Sequence, residues 1–359
     1  MRGRLVSNPP YATKLEGFMA HDPVRPDRSV REILAAHTYR QPMIVIDALP
    51  LSGTTRLMID AVRDTHPDAA IIDRKPADLV AMAYARDFDD LSPYQTYVVW
   101  LDDLCPGNLL LLDPEVLDII TTHAVILASM NRAWVWRIVT DTSRVAATAR
   151  TVLTAYAHYV AMPSQMDAEE QRRVQASFPH VRINTNLAEA LVGGNVLVGR
   201  YDRGRYGCPH GHALVSLAID ARRAGVHRGL TVEELTELFR RSGTLGARSP
   251  QAFNEALEWA TIVPNDAASA LLHPDRKGGW TALPYLAAAE DGNYGHPTRE
   301  IAPRTWLTMI AALPPTDSFH VGAGALFRRL QEIAGAAFLR ARKSPDPVIA
   351  ARASAVTGG

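Results

Sequence analysis

Apolar residues follow two different patterns along the chain, and the change falls near residue 143. Before that point, short unbroken apolar runs alternate with amphipathic stretches. The runs are Met43–Asp47, Ala69–Asp73, Thr96–Leu101 and His123–Ser129. Runs of this length and continuity are typical of parallel strands that are buried on both faces. Helical stretches between them therefore predict an α/β fold, a parallel sheet with right-handed crossovers.

After residue 143 the pattern is helical. Ser143–Tyr159 is predicted as an Ala-rich helix, and Thr231 with Glu234 has the spacing of a capping box. We expect an all-helical C-terminal half, lid-like and winged-helix-like, with at most one small hairpin. The predicted domains are a flexible lead-in at 1–27, the α/β domain at 28–142, the helical region at 143–314, one helical hairpin at 315–348 and a flexible tail at 349–359.

Residues 315–348 carry a faint tetratricopeptide pattern. Small and aromatic residues take the expected positions of a helix–turn–helix repeat of about 34 residues. They are Gly322, Ala334, Phe338 and Ala341, with Pro347 one residue beyond the usual proline. One such repeat cannot bury its own apolar face. It is either a capping repeat packed on the body or a docking site for a protein partner, and the alternative is one long helix, Val321–Arg342.

The turn between the first strand and the first helix is a candidate phosphate-binding loop. Such loops follow G-x-x-x-x-G-K-[ST], and Ala48, Gly53, Thr54 and Thr55 occupy the four fixed positions. Backbone amides at the helix start cradle phosphates, the Lys adds a positive charge and the hydroxyl binds Mg²⁺. Gly53 and Thr55 match, whereas Thr54 lacks the charge. Taken alone, the match also fits an ordinary strand–turn–helix junction.

Polar residues close the third and fourth apolar runs. Asp102 and Asp103 follow one, and Ser129 ends the next. Ligands of parallel sheets bind beyond the carboxyl ends of the strands, where these residues are expected. We predict that Asp102 joins Thr55 on Mg²⁺, that Asp103 acts on the attacking water, and that Ser129 faces the γ-phosphate. The alternative for the acids is a solvated pair that caps the next helix.

These segments resemble the NTPase modules of the signal-transducing P-loop class (STAND/AAA-related) found in actinobacterial ATP-binding proteins, which often carry tetratricopeptide repeats. The resemblance covers roughly residues 40–310. The matching blocks are Ser52–Arg56, Val98–Leu104, Ala128–Arg132 with Trp134, Leu187–Leu191, Leu197–Tyr201 and Gly211–Gly225.

The resemblance implies ATP and Mg²⁺ as cofactors. Thr55 and Asp102 would hold the metal, and Asp103 would be catalytic. The residues that the resemblance places at the nucleotide are Ser52, Gly53, Thr54, Thr55, Arg56, Ser129 and Arg132.

Two departures from the family pattern change the expected function. Thr54 stands where the family has Lys, and Ala48 where it has the first Gly. We expect weak nucleotide binding, slow or absent hydrolysis, and a regulatory or scaffold role. One alternative is an active ATPase whose cation comes from Arg56, Arg132 or a partner chain. The other is an interaction module that does not use nucleotide.

Composition sets further limits. The chain has 38 basic and 38 acidic residues, so no net charge draws it to nucleic acid or to anionic membranes. No apolar run approaches the roughly 18 residues of a membrane helix, and no signal peptide is expected from the first residues. Cys105 and Cys208 give no disulfide framework, which favours the cytoplasm. A protein partner or self-association is expected.

Overall fold

The computed structural model describes residues 43–163, 166–177, 179, 187–244, 247, 249–275 and 278–358. The predicted lead-in at 1–27 lies outside the described residues. The chain divides into two compact units, Met1–Leu187 and Ala188–Gly359.

A five-stranded parallel sheet forms the centre of the first unit. Its strands are β1 (Met43–Ala48), β2 (Ala70–Ile72), β3 (Tyr97–Leu104), β4 (Val125–Asn131) and β5 (Ala157–Ala161). They lie in the order β2-β3-β4-β1-β5, and every pairing is parallel. Because β4 lies between β1 and β3, the carboxyl ends of these three strands are neighbours. A parallel sheet whose first strand leads through a short loop into a helix is consistent with a P-loop NTPase-like fold.

Helices connect these strands. They are α1 (Thr54–Thr65), α2 (Pro76–Tyr84), α3 (Pro106–Leu111), α4 (Pro114–His123), α5 (Arg132–Thr140), α6 (Ala147–Thr151) and, after the sheet, α7 (Ala168–Ser177). The chain moves one way across the sheet from β1 to β2 and the other way in every later crossover. Right-handed crossovers therefore place α1 on one face and the later connections on the other. The loops after β1 and β4 leave the sheet towards opposite faces, which opens a crevice where ligands of such sheets bind.

Helix α1 packs its apolar side on the sheet. Leu57, Met58, Ala61 and Val62 are buried there against side chains from all five strands. Complete burial of one such large aliphatic side chain contributes about 1.5–3 kcal/mol. This packing fixes the start of α1, and hence the loop before it, relative to the strand ends.

The sheet extends beyond the predicted domain boundary at residue 142. The predicted helix Ser143–Tyr159 is wrong in its second half, where a π-helical turn, Val152–Tyr156, leads into β5. Strand β5 pairs with β1, with Val160 opposite Ile46. As an edge strand it is covered less fully than the central strands, and Tyr159 and Ala161 are exposed. It therefore lacks the unbroken apolar run that marks the inner strands.

The second unit is mainly helical, as predicted. Its elements are α8 (Leu187–Val192, which begins at the boundary), α9 (Gly194–Gly207), α10 (Pro209–Arg223), α11 (Val232–Arg241), α12 (Pro250–Thr261), β6 (Leu272–Pro274), β7 (Trp280–Ala282), α13 (Pro284–Glu290), α14 (Pro303–Ala312), α15 (Pro315–Leu326), α16 (Gln331–Ala341) and α17 (Pro347–Thr357). Strands β6 and β7 form the small antiparallel hairpin. The capping box of α11 is present, since Thr231 and Glu234 bond reciprocally.

The C-terminal segment is a helical hairpin followed by a further helix. The alternative of one helix over Val321–Arg342 is wrong, because the chain turns between α15 and α16, where Arg329 has a φ of 62°. Gly322 of α15 lies against the ring of Phe338 of α16. The flexible tail predicted at 349–359 is also wrong, because α17 runs to Thr357 and buries Ile349.

Candidate functional site

The loop between β1 and α1 keeps the start of the helix open. Gly53 has φ 85° and ψ 14°, a left-handed conformation that suits glycine. The Leu57 amide donates to the Gly53 carbonyl at 2.9 Å, so the amides of Thr54, Thr55 and Arg56 precede the first bond of the helix. Among the described residues no side chain caps α1, and its first turn has no acid. The positive end of the helix favours a bound anion.

Two further features of the loop have an energetic cost. Leu51 has φ 61°, and a left-handed conformation costs a non-glycine residue about 1–2 kcal/mol. The Ser52 hydroxyl oxygen is buried and has no hydrogen-bond partner among the described residues. A buried hydroxyl without a partner costs about 1–3 kcal/mol. A bound group that offers hydrogen-bond acceptors would offset the second cost.

Thr55, Asp102 and Ser129 meet at the carboxyl ends of the strands. The Thr55 hydroxyl donates to Asp102 Oδ2 at 2.7 Å, and the Ser129 hydroxyl donates to Asp102 Oδ1 at 2.5 Å. Residues 47 and 27 positions apart in sequence are thereby joined. A hydroxyl and a carboxylate at hydrogen-bond distance are oxygen ligands of the type that Mg²⁺ binds.

The two acids lie inside β3 rather than beyond it. Strand β3 continues to Leu104, and its pairing with β4 shifts after Leu101. Asp102 and Asp103 together oppose Ser129 alone, which makes this a β-bulge. Asp103 has φ 61°, and its amide donates to the Ser129 hydroxyl oxygen at 2.8 Å. The bulge thus gives the adjacent acids different surroundings.

The two arginines considered as a replacement cation are held in ion pairs. Arg56 bonds through Nε to Asp60 Oδ2 at 2.7 Å, one turn further along α1. Arg132 bonds through Nε to Asp47 Oδ1 at 3.1 Å, and through Nη2 to the carbonyls of Asp47 and Met162. Each ion pair places the guanidinium against a carboxylate, which offsets part of the positive charge that it could offer to a phosphate. Asp47, the last but one residue of β1, was not among the predicted site residues, although an acid so close to the loop was a usable signal.

The cysteine next to the bulge has an inert thiol. Burial of Cys105, reinforced by the charge of Asp103, raises the pKa of its thiol to about 12. The thiolate is the nucleophilic form of cysteine, so Cys105 does not supply a nucleophile near neutral pH.

The described residues contain no group of three or more His, Cys, Asp and Glu side chains that could hold a metal ion. A magnesium ion here would depend on Thr55, Asp102, water and phosphate oxygens, which is how proteins commonly bind Mg²⁺ with a nucleotide. No helix in the part of the chain that the structure describes is long and apolar enough to cross a membrane.

Comparisons with known proteins add little to this geometry. No protein-family model matches the chain, and no curated protein matches it. Among solved structures, the chain is similar to a signal transduction ATPase with numerous domains (STAND) protein with a tetratricopeptide repeat sensor from Pyrococcus horikoshii, with 10% identity and a TM-score of 0.34. The match covers 92% of this chain and 57% of that protein, so the chain spans little more than half of its length.

Proposed function

We propose that this chain is a degenerate P-loop NTPase of the STAND/AAA-related class. It binds a nucleoside triphosphate weakly with Mg²⁺, hydrolyses it slowly or not at all, and acts as a regulatory or scaffold protein. The proposal rests on one observation above all. The Thr55 and Ser129 hydroxyls both bond the Asp102 carboxylate beside the open start of α1.

The residues of the loop fit a polyphosphate. The amides of Thr54, Thr55 and Arg56 would donate to phosphate oxygens, with Gly53 allowing close approach because it has no Cβ. The buried Ser52 hydroxyl would gain the partner that the described residues do not provide. Thr55 and Asp102 would hold Mg²⁺, and the metal would neutralise phosphate charge when bound. Asp103 is the proposed catalytic residue, whose carboxylate would act on the attacking water.

The substitution at Thr54 weakens this site. A hydrogen bond to a charged group contributes about 1.5–3 kcal/mol, so loss of the Lys lowers affinity by roughly ten- to over a hundredfold. The charges of Arg56 and Arg132, which could replace it, are partly offset by their ion pairs with Asp60 and Asp47. These ion pairs favour weak binding over the alternative of an active ATPase with a substitute cation.

The regulatory part of the proposal draws on the second unit. Helices α15 and α16 pack against each other, and α17 follows in contact with α16, which supports a single tetratricopeptide-like repeat there. A protein partner or a second copy of the chain is the proposed binding partner, and we place the protein in the cytoplasm.

Thermal unfolding of the intact chain with millimolar ATP, with and without Mg²⁺, tests the proposal. We expect a rise in the unfolding temperature that needs Mg²⁺, with little or no phosphate release. If the unfolding temperature does not rise, nucleotide binding is refuted, and the remaining alternative is an interaction module that does not use nucleotide. Rapid phosphate release would favour the active ATPase, in which case Asp103→Asn should abolish release and preserve binding.

A further inference from the structure

Ser129 takes a central position in the β-bulge. It is the one residue of β4 opposite Asp102 and Asp103 of β3. Its hydroxyl accepts from the Asp103 amide at 2.8 Å and donates its only proton to Asp102 Oδ1 at 2.5 Å. Both of these hydrogen bonds are formed within the protein, at a side chain that is buried at 6% exposure.

Both oxygens of the Asp102 carboxylate therefore accept hydrogen bonds from hydroxyl groups. Ser129 holds Oδ1 and Thr55 holds Oδ2, from β4 and α1 respectively. With both oxygens engaged, rotation of the carboxylate would break a hydrogen bond. Because Ser129 is buried, water could not easily replace its hydroxyl. The bond to the Asp103 amide also fixes the backbone that carries Asp102.

We propose that Ser129 is a positioning residue that orients Asp102 towards Thr55 for a divalent cation, instead of contacting the γ-phosphate itself. This inference rests on the proposed function, since it assigns the cation to that same site. The hydrogen-bonding partners of metal-binding carboxylates typically change metal affinity about 10–100-fold when they are removed. Ser129 would therefore control Mg²⁺ affinity more than affinity for the nucleotide alone.

The test uses Ser129→Ala, Ser129→Thr and a matched control, Ser318→Ala. Ser318 is buried as well, with no exposed surface, but its hydroxyl has no hydrogen-bond partner among the described residues. Two quantities are measured on the full chain. One is the Mg²⁺ midpoint. Mg²⁺ is titrated into the chain with a fluorescent ATP analogue, and the midpoint is the Mg²⁺ concentration at which half of the increase in analogue binding is reached. The other is the hydrogen-exchange rate of the Asp103 amide without nucleotide.

We expect Ser129→Ala to raise that Mg²⁺ concentration by about tenfold or more. Binding of the analogue in EDTA should change less than about threefold, because the hydroxyl does not act on the phosphates directly. Exchange of the Asp103 amide should quicken, because its acceptor is gone. Ser129→Thr keeps the hydroxyl and should restore both values, and Ser318→Ala should change neither.

An unchanged Mg²⁺ midpoint in Ser129→Ala would overturn the positioning role, and so would an equal loss of binding in EDTA. If Ser129→Ala does not fold, Ser129→Cys replaces it, because a thiol is a much weaker donor of similar size. The Mg²⁺ midpoint and the binding in EDTA of Ser129→Cys then test the positioning role in the same way. If the wild-type chain binds no analogue, the proposed function fails. Hydrogen exchange of the Asp103 amide still shows whether the Ser129 hydroxyl stabilises the β-bulge.

Discussion

Replacement of Thr54 by Lys should tighten nucleotide binding. Thr54 is the first residue of α1, between Gly53 in its left-handed conformation and Thr55 on Asp102. It is half-buried, so a longer side chain has a route to solvent. The substitution restores the one charged residue of the loop pattern without touching the hydroxyl–carboxylate contacts.

The expected gain follows from two opposing terms. A hydrogen bond to a charged group contributes about 1.5–3 kcal/mol. Ordering a free Lys side chain costs up to about 2 kcal/mol. We therefore expect a net gain somewhat below the full contribution of the hydrogen bond, about tenfold tighter binding of ATP, which is about 1.4 kcal/mol.

The same charge should have the opposite effect without nucleotide. A cation at a helix N-terminus opposes the helix dipole by about 0.3–1 kcal/mol. The first turn of α1 has no acid to offset it. Thr54→Lys should therefore unfold at a slightly lower temperature than wild type without ATP, and show a larger upward shift when ATP is added.

Isothermal calorimetry with ATP and Mg²⁺ measures the affinity, and thermal unfolding measures the stability. Thr54→Met is the matched control, because it has nearly the length of Lys without the charge. If Thr54→Lys binds no more tightly than Thr54→Met, while both variants are folded, the loop does not direct this position at phosphate.

Two further predictions concern thiol reactivity and helix packing. In the native chain at pH 8, iodoacetamide should label the half-buried Cys208 and spare Cys105, because burial and a raised thiol pKa keep Cys105 unreactive. Mass spectrometry identifies the labelled cysteine. Labelling of both thiols before the chain unfolds would contradict the prediction. Gly322→Ala should lower stability by about 1–2 kcal/mol in a denaturant titration, because the new Cβ would lie 2.9 Å from the Phe338 ring. The matched Gly335→Ala has open space and should raise stability by about 0.5–1 kcal/mol, so equal effects of the two changes would refute the packing of α15 on α16.

The inner strands could be predicted from sequence because burial on both faces leaves an unbroken apolar run. Strand β5 could not, because it lies at the sheet edge and follows an Ala-rich stretch with high helix propensity. The prediction at the C terminus failed in the opposite way, because it gave no helix to a stretch with high helix propensity. Small residues there gave the expectation of a flexible tail, whereas Ala favours a helix, and Asp346 caps α17 by accepting from the amides of Val348 and Ile349.

Part of the candidate site could likewise be predicted from the sequence, and part of it could not. Thr55 and Asp102 were paired in the prediction because ligands of parallel sheets bind beyond the carboxyl ends of the strands, where the loop and the acids were both expected. The structure brings them to hydrogen-bond distance. The bulge at Asp103 depends on how β3 pairs with β4, which no local pattern encodes. The ion pair of Arg132 with Asp47 joins residues 85 positions apart, so it required the folded sheet.

Calorimetric titration of ATP into the wild-type chain and into Asp102→Ala, each with Mg²⁺ and with EDTA, tests the central claim most directly. Asp102 is the residue on which the Thr55 and Ser129 hydroxyls converge. We predict weak, saturable binding to wild type that Mg²⁺ strengthens, and no strengthening by Mg²⁺ in Asp102→Ala. Absence of binding to the wild-type chain, or an equal effect of Mg²⁺ on both proteins, would contradict a nucleotide site at this edge of the sheet.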